Sequence, residues 1–186
     1  EIYESVLATK IRVCGQDHPD VATSYNNIGS VYDSQGRYNE ALEKYEKCLK
    51  IRVDKLGHEH LDVAKSYNNM AIVYKKQGLL EKALDLYQKS VDIKITTLGS
   101  DHLDVAKSYN NIGMVYDSQG HYDKALEYYQ KDLDITIRVV GHEHLDVAKT
   151  QENRAIIYKQ QGQYQKALEI YESVLATKIR VCGQDH

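Results

Sequence analysis

Paired asparagines recur along the chain: Asn26 and Asn27, Asn68 and Asn69, Asn110 and Asn111, and then Glu152 and Asn153. A primary amide donates and accepts at once, so a row of them can hold an extended peptide backbone without reading its side chains. Lys65, Lys107 and Lys149 run beside the asparagines, with Lys75, Lys76 and Lys159 deeper, and such a surface prefers an acidic peptide. The same amides can instead bond only to neighbouring helices, and the spacing leaves both uses open. His58 and His60, repeated as His142 and His144, form an H-x-H turn. Two imidazoles can ligate a metal, but no third ligand stands at a fixed spacing, and Gln16 to His18 and Ser100 to His102 break the pattern. These turns read as polar connections, and no metal or cofactor is expected. Because no phosphate-binding glycine loop, H-E-x-x-H or nucleophile motif is present, no catalytic residues are expected and the chain reads as non-enzymatic.

The elements that carry these residues repeat. Gly15 returns at Gly57, Gly99 and Gly141, each a step of 42, and the block begins again at Gly183. VATSYNNIGSVYDSQGRYNEAL from Val21 becomes VAKSYNNMAIVYKKQGLLEKAL from Val63, VAKSYNNIGMVYDSQGHYDKAL from Val105 and VAKTQENRAIIYKQQGQYQKAL from Val147. In the first block Val21, Tyr25, Ile28, Gly29 and Tyr32 lie on one face of a helix that Gly36 stops. Tyr38, Ala41, Leu42, Tyr45, Leu49, Val53 and Leu56 form a second such face that ends before Gly57. Each block is thus two antiparallel helices, and no strand pattern competes. First helices are expected near Asp20 to Gln35, Leu61 to Gln77, Leu103 to Gln119 and Leu145 to Gln161. Second helices are expected at Tyr38 to Leu56, Leu80 to Leu98, Tyr122 to Val140 and Tyr164 to Cys182. A unit of this kind buries its apolar face only against its neighbours, so the array grows by addition. One continuous domain over 1–186 is expected: a partial repeat at 1–14, full repeats at 15–56, 57–98, 99–140 and 141–182, and the start of another at 183–186.

A formal charge of −3, with 27% charged residues, makes no electrostatic case for nucleic acid or an anionic membrane. No apolar run reaches the roughly 20 residues of a spanning helix, and the chain opens on a charged amphipathic stretch, so no signal peptide is read. Cys14, Cys48 and Cys182 occupy helical apolar positions without close pairing and read as reduced and buried, which points to the cytoplasm.

Tyr25, Ile28, Gly29, Tyr32, Ala41 and Tyr45 match the tetratricopeptide signature W-x2-L-G-x2-Y then A-x3-F in order and spacing, and the match recurs over essentially the whole chain. The sequence resembles that family, with tyrosine in place of tryptophan and phenylalanine and Val53 where the closing proline falls. Its longer unit and G-x-D/E-H-x-D-V-A linker look like the 42-residue repeats of kinesin light chain and similar arrays. The resemblance implies an all-α, right-handed superhelical solenoid of antiparallel helix pairs whose first helices line a concave face. It also implies that Asn27, Asn69, Asn111 and Asn153 hold a peptide backbone there, flanked by Asn26, Asn68 and Asn110. The lysine–asparagine carboxylate clamp of chaperone-binding relatives is not matched, because these three asparagines hold the place of its key lysine.

Three polar changes fall at one junction: Gln151 and Arg154 replace the tyrosine and the apolar residue of earlier first helices, and Asp132 replaces the small or apolar residue found at Val6, Cys48, Ser90 and Val174. An Asp132–Arg154 ion pair is expected. The leading functional expectation is a protein-interaction scaffold for an extended, acidic peptide. Two others stand beside it. Residues 1–18 recur letter for letter as 169–186, so Tyr3, Val6 and Leu7 of one molecule and Tyr171, Val174 and Leu175 of another are expected to meet in head-to-tail self-association. The third is a sensor segment of a larger nucleotide-dependent switch protein.

Overall fold

A computed structural model describes residues 2–183, with side chains described for 5–181. Among these residues there are nine α-helices and no strand. They are α1 (Ile2–Cys14), α2 (Pro19–Ser34), α3 (Tyr38–Leu56), α4 (Leu61–Lys76), α5 (Leu80–Leu98), α6 (Leu103–Ser118), α7 (Tyr122–Val140), α8 (Leu145–Gln160) and α9 (Tyr164–Cys182). The second helices fall where the periodicity places them. The first helices end one residue sooner, because the glutamines at their ends serve as C-caps. The chain divides into two compact units after Thr97. The first holds α1 to α4 and all but the last residue of α5, and the second holds α6 to α9.

The helix starts have an unexpected cap. His18, His60, His102 and His144 stand just before the first helices, and each Nδ1 accepts from the backbone N–H two residues on, at 3.1–3.2 Å. The imidazole therefore satisfies one of the orphan N–H groups that every helix start exposes, and the next acidic residue (Asp20, Asp62, Asp104 or Asp146) meets the positive end of the helix dipole. This accounts for the H-x-H turns: one imidazole of each is a cap. At the other end of α2, Gly36 takes φ +73, its N–H donates to Asp33 O at 3.0 Å, and the next N–H, of Arg37, donates to Tyr32 O at 2.9 Å. This left-handed turn closes the helix and sends the chain back along itself.

Within the first unit, Val21, Ala22, Tyr25, Cys48 and Ile51 form one cluster, with Leu7 and Ile11 of α1 against it. A second joins Ala41, Leu42 and Tyr45 to Met70 and Val73 of the next first helix. In the second unit Ala125 and Tyr129 pack with Ile157 in the same way. The paired helices approach at Gly29 and Gly113. A Cβ on Gly29 would lie 2.8 Å from Tyr45 Cε1, and one on Gly113 would lie 2.7 Å from Tyr129 Cε1, closer than carbon atoms sit.

Two expectations about burial change. Cys48 is buried, and burial raises its thiol above the usual range, but Cys14 is exposed; the side chain of Cys182 lies outside the described residues. Val174 is 5% exposed and packs inward, whereas Leu175 is 58% exposed. α9 rests its Val174 side on α8, because that position is the one Cys48, Ser90 and Asp132 bury in the earlier pairs. Tyr3 lies outside the described side chains.

Gly113→Ala gains about 1 kcal/mol of helix propensity but drives a methyl group into the buried Tyr129 ring, an overpacking that costs about 1–3 kcal/mol. A net loss of stability is expected in urea denaturation, the reverse of the gain that propensity alone gives.

Candidate functional site

Within each unit, asparagines form a rung between the two first helices. In the first unit Asn69 Nδ2 donates to Asn26 Oδ1 at 2.9 Å, and in the second Asn153 Nδ2 reaches Asn110 Oδ1 at 3.5 Å, both across 43 positions. The register is one residue more than the repeat, so the second asparagine of one pair meets the first of the pair before it. Asn27 is exposed, and Asn68, Asn69, Asn111 and Asn153 are partly buried. Asn110 is buried: its Nδ2 donates to Asp132 Oδ2 at 2.9 Å and to Thr150 Oγ1 at 3.0 Å, which turns it into the junction. Lys65, Lys107 and Lys149 are exposed, each one helical turn before the asparagine at Asn69, Asn111 or Asn153 and so on the same face. Lys65 shares its charge with Asp62 at 2.9 Å.

Seven residues beyond the rung in the first unit, Lys76 Nζ meets both carboxylate oxygens of Asp33 at 2.8 Å, again across 43 positions. Lys75 is half-buried; burial, and then the charge of Lys76, hold its ammonium below the usual range. In the fourth repeat Glu152 stands where the first asparagine belongs and accepts from Lys178 Nζ at 2.6 Å, so an ion pair with α9 replaces the amide there.

The second unit also carries rings and cations on α6 and α7. Tyr116 and Tyr128 stack at 5.4 Å, and Tyr109 lies 6.0 Å from Tyr128. Lys131 Nζ sits 4.5 Å from the centre of the Tyr128 ring and Lys124 Nζ 5.2 Å from that of Tyr116, within cation–π range. Tyr128 has no aromatic counterpart in the other repeats, where Lys44, Leu86 and Ile170 stand; that break in the repeat was the available sequence signal for the cluster.

At the junction the expected Asp132–Arg154 pair does not form. Asp132 is 4% exposed, and its carboxylate accepts from Thr150 Oγ1 at 2.5 Å, from Asn110 Nδ2 at 2.9 Å and from Thr136 Oγ1 at 2.9 Å. Three short donors already fill the space around it. Arg154 runs instead along its own helix, giving Nη1 to Gln151 Oε1 at 3.1 Å and meeting the Tyr158 hydroxyl. Burial alone would raise the Tyr158 phenol; its bonds with Lys166 and Arg154 outweigh burial and lower it. Burial raises the carboxyl of Asp132 despite its three hydrogen bonds.

Among the described residues no group of His, Cys, Asp and Glu could hold a metal ion, and no helix is long and apolar enough to cross a membrane.

The model of the tetratricopeptide repeat matches residues 1–54, 34–96, 62–136 and 122–179. The chain belongs to the tetratricopeptide repeat family. Among solved structures, this family member is similar to BtubC (BKLC) from P. vanneervenii, with 28% identity and a TM-score of 0.80 over 89% of this chain and 66% of that one. It is also similar to the putative kinesin light chain nearly identical TPR-like repeats of Podosopora anserina, with 26% identity and a TM-score of 0.79 over 96% and 85% of the two chains. RapI shares the fold, at 20% identity and a TM-score of 0.80, over 97% of this chain and 63% of RapI. No curated protein sequence matches the chain. A tetratricopeptide array of this kind is a scaffold for protein interaction.

The raised carboxyl of Asp132 has a signed consequence. Its folded pKa lies above the unfolded one, so it leaves stability intact below the unfolded value and lowers it as pH rises through the folded value. Asp132→Asn is expected to match the wild type near pH 3 and to gain on it as pH rises toward neutrality. Urea denaturation at a series of pH values checks this; a constant difference at every pH contradicts it.

Proposed function

We propose that the first-helix faces of this tetratricopeptide chain bind an extended peptide of a partner protein through Asn27, Asn69, Asn111 and Asn153, with Lys65, Lys107 and Lys149 favouring acidic side chains. The observation that carries this reading is the shared face: each of these lysines lies one turn before a ladder asparagine. The inter-helix bond of Asn69 uses one of its two amide N–H donors, which leaves capacity toward a ligand. Asn26 and Asn110 are the receiving side of the two rungs and hold the first helices of each unit in register.

Asn27→Ala, at an exposed amide, is expected to weaken binding to an array of acidic peptides about tenfold, the scale of one hydrogen bond of roughly 1 kcal/mol or slightly more, with an unchanged melting temperature. Lys107→Glu with Lys149→Glu is expected to turn the preference toward basic peptides. Melting shifts without affinity changes would make the ladder purely structural.

Self-association is the second reading, supported by the exposed apolar side chains Leu168, Leu175 and Ile179 on α9. Light scattering over a concentration series tests it: assembly that Leu168→Lys and Leu175→Lys abolish supports stacking, and a monomer at every concentration rules it out.

A further inference from the structure

The two units repeat one arrangement with one partner exchanged. In the first, Asp33 and Lys76 form the two-pronged ion pair described above, and the carboxylate is only 15% exposed. Advancing each residue by two repeats, twice 42, leads to Asp117 and Gln160. The aspartate is retained and the lysine is not. A neutral amide carries no charge to offer a carboxylate, and Gln160 is exposed.

Asp117 is left in an environment made for a charge pair. Its Oδ1 is closed off from solvent and has no hydrogen-bond partner, and burial raises the carboxyl above its ordinary range. The charge also acts on Tyr129, where burial first and then Asp117 push the phenol up. Among the described residues no ion pair joins Lys159 to Asp117, just as none joins Lys75, the residue at the same place in the first unit, to Asp33. A buried carboxylate oxygen without a donor carries the full cost of its desolvation, and a group that brings both a positive charge and an N–H, as Lys76 does for Asp33, relieves it most fully.

The position of Asp117 says where that group comes from. Asn110 lies seven residues before Asp117 and Asn153 seven before Gln160, the same two-turn spacing that separates Asn26 from Asp33 and Asn69 from Lys76. Asp117 therefore lies on the ladder stripe, two turns from the rung. We infer that Asp117 is the receptor for a basic side chain, a lysine or arginine of the bound peptide, which enters where Lys76 lies in the first unit. This rests on the peptide-binding reading of the ladder face and adds a basic anchor to it. An acidic segment alongside Lys107 and Lys149 and a basic residue at Asp117 together define a peptide of mixed charge.

The test uses the whole chain and an array of capped nine-residue peptides of glycine, serine and alanine, with a single lysine, norleucine or glutamate at each place. Norleucine keeps the length of lysine without its charge. At one place in the peptide, lysine is expected to bind the wild type about tenfold or more tighter than norleucine, the scale of a charge-assisted hydrogen bond. Asp117→Asn is expected to abolish that difference and leave norleucine binding unchanged. Gln160→Lys, which restores in the second unit the pair that Lys76 makes in the first, is expected to abolish it too and to raise the melting temperature. Equal binding of lysine and norleucine by the wild type overturns the basic anchor and leaves the ladder reading standing, as does a lysine preference that survives in either variant. A wild type that binds none of the peptides overturns both.

Discussion

The contact between a second-helix tyrosine and the small residue facing it on the first helix sets the spacing on which everything else depends. Tyr45, Tyr87 and Tyr129 are almost completely buried. At Gly29 and Gly113 the first helix offers bare backbone to the ring, while Ala71 and Ala155 hold that place in the other two repeats. Glycine inside a helix costs roughly 0.5–1 kcal/mol relative to alanine, so its use there marks how close the helices come. Once a pair is closed at this distance, the outer side of its second helix is left apolar, and within each unit the first helix of the next pair covers it. Met70 and Val73 against Leu42 and Tyr45 is one instance, and Ile157 against Tyr129 another.

One repeated position on the second helices carries polar chemistry. Cys48 Sγ lies 3.8 Å from Ser66 Oγ, Ser90 Oγ donates to Ala64 O at 2.9 Å, and Asp132 gathers Thr150, Thr136 and Asn110. A thiol, a hydroxyl and a carboxylate thus occupy equivalent places between nearly identical helices. Arg52 adds a charged version in the first unit, giving Nη1 to Asp62 O at 2.9 Å and to Ser66 Oγ at 2.8 Å. The junction that holds Asp132 trades apolar burial for a satisfied polar network whose carboxyl still feels its removal from water, which is why pH acts there.

The ladder face has a double character for the same geometric reason. Within each unit the first helices lie close enough for amides 43 residues apart to bond, so part of each rung holds the fold together while the rest faces outward. The tenfold question of binding therefore turns on Asn27 and the lysines more than on Asn110, whose amide is committed to the interior. The exchange of Lys76 for Gln160 makes the two units chemically unequal on a nearly common backbone.

Much of this was open to reading in the chain itself. The 42-residue step, the apolar spacing of Val21, Tyr25, Ile28 and Tyr32, and the glycines after each helix determine the helix pairs, because those features act through local backbone geometry and burial periodicity. The helix ends followed to within a residue. Side-chain partners were decided only in three dimensions. Asp132 was expected to find Arg154, the one new charge of opposite sign, but the tertiary fold brings Thr150, Thr136 and Asn110 nearer. The capping role of His60, the burial of Asn110 and the exposure of Cys14 were likewise hidden. Periodicity states which face a residue occupies; the one-residue offset between neighbouring helices, which the repeat length does not contain, decides which atom it meets.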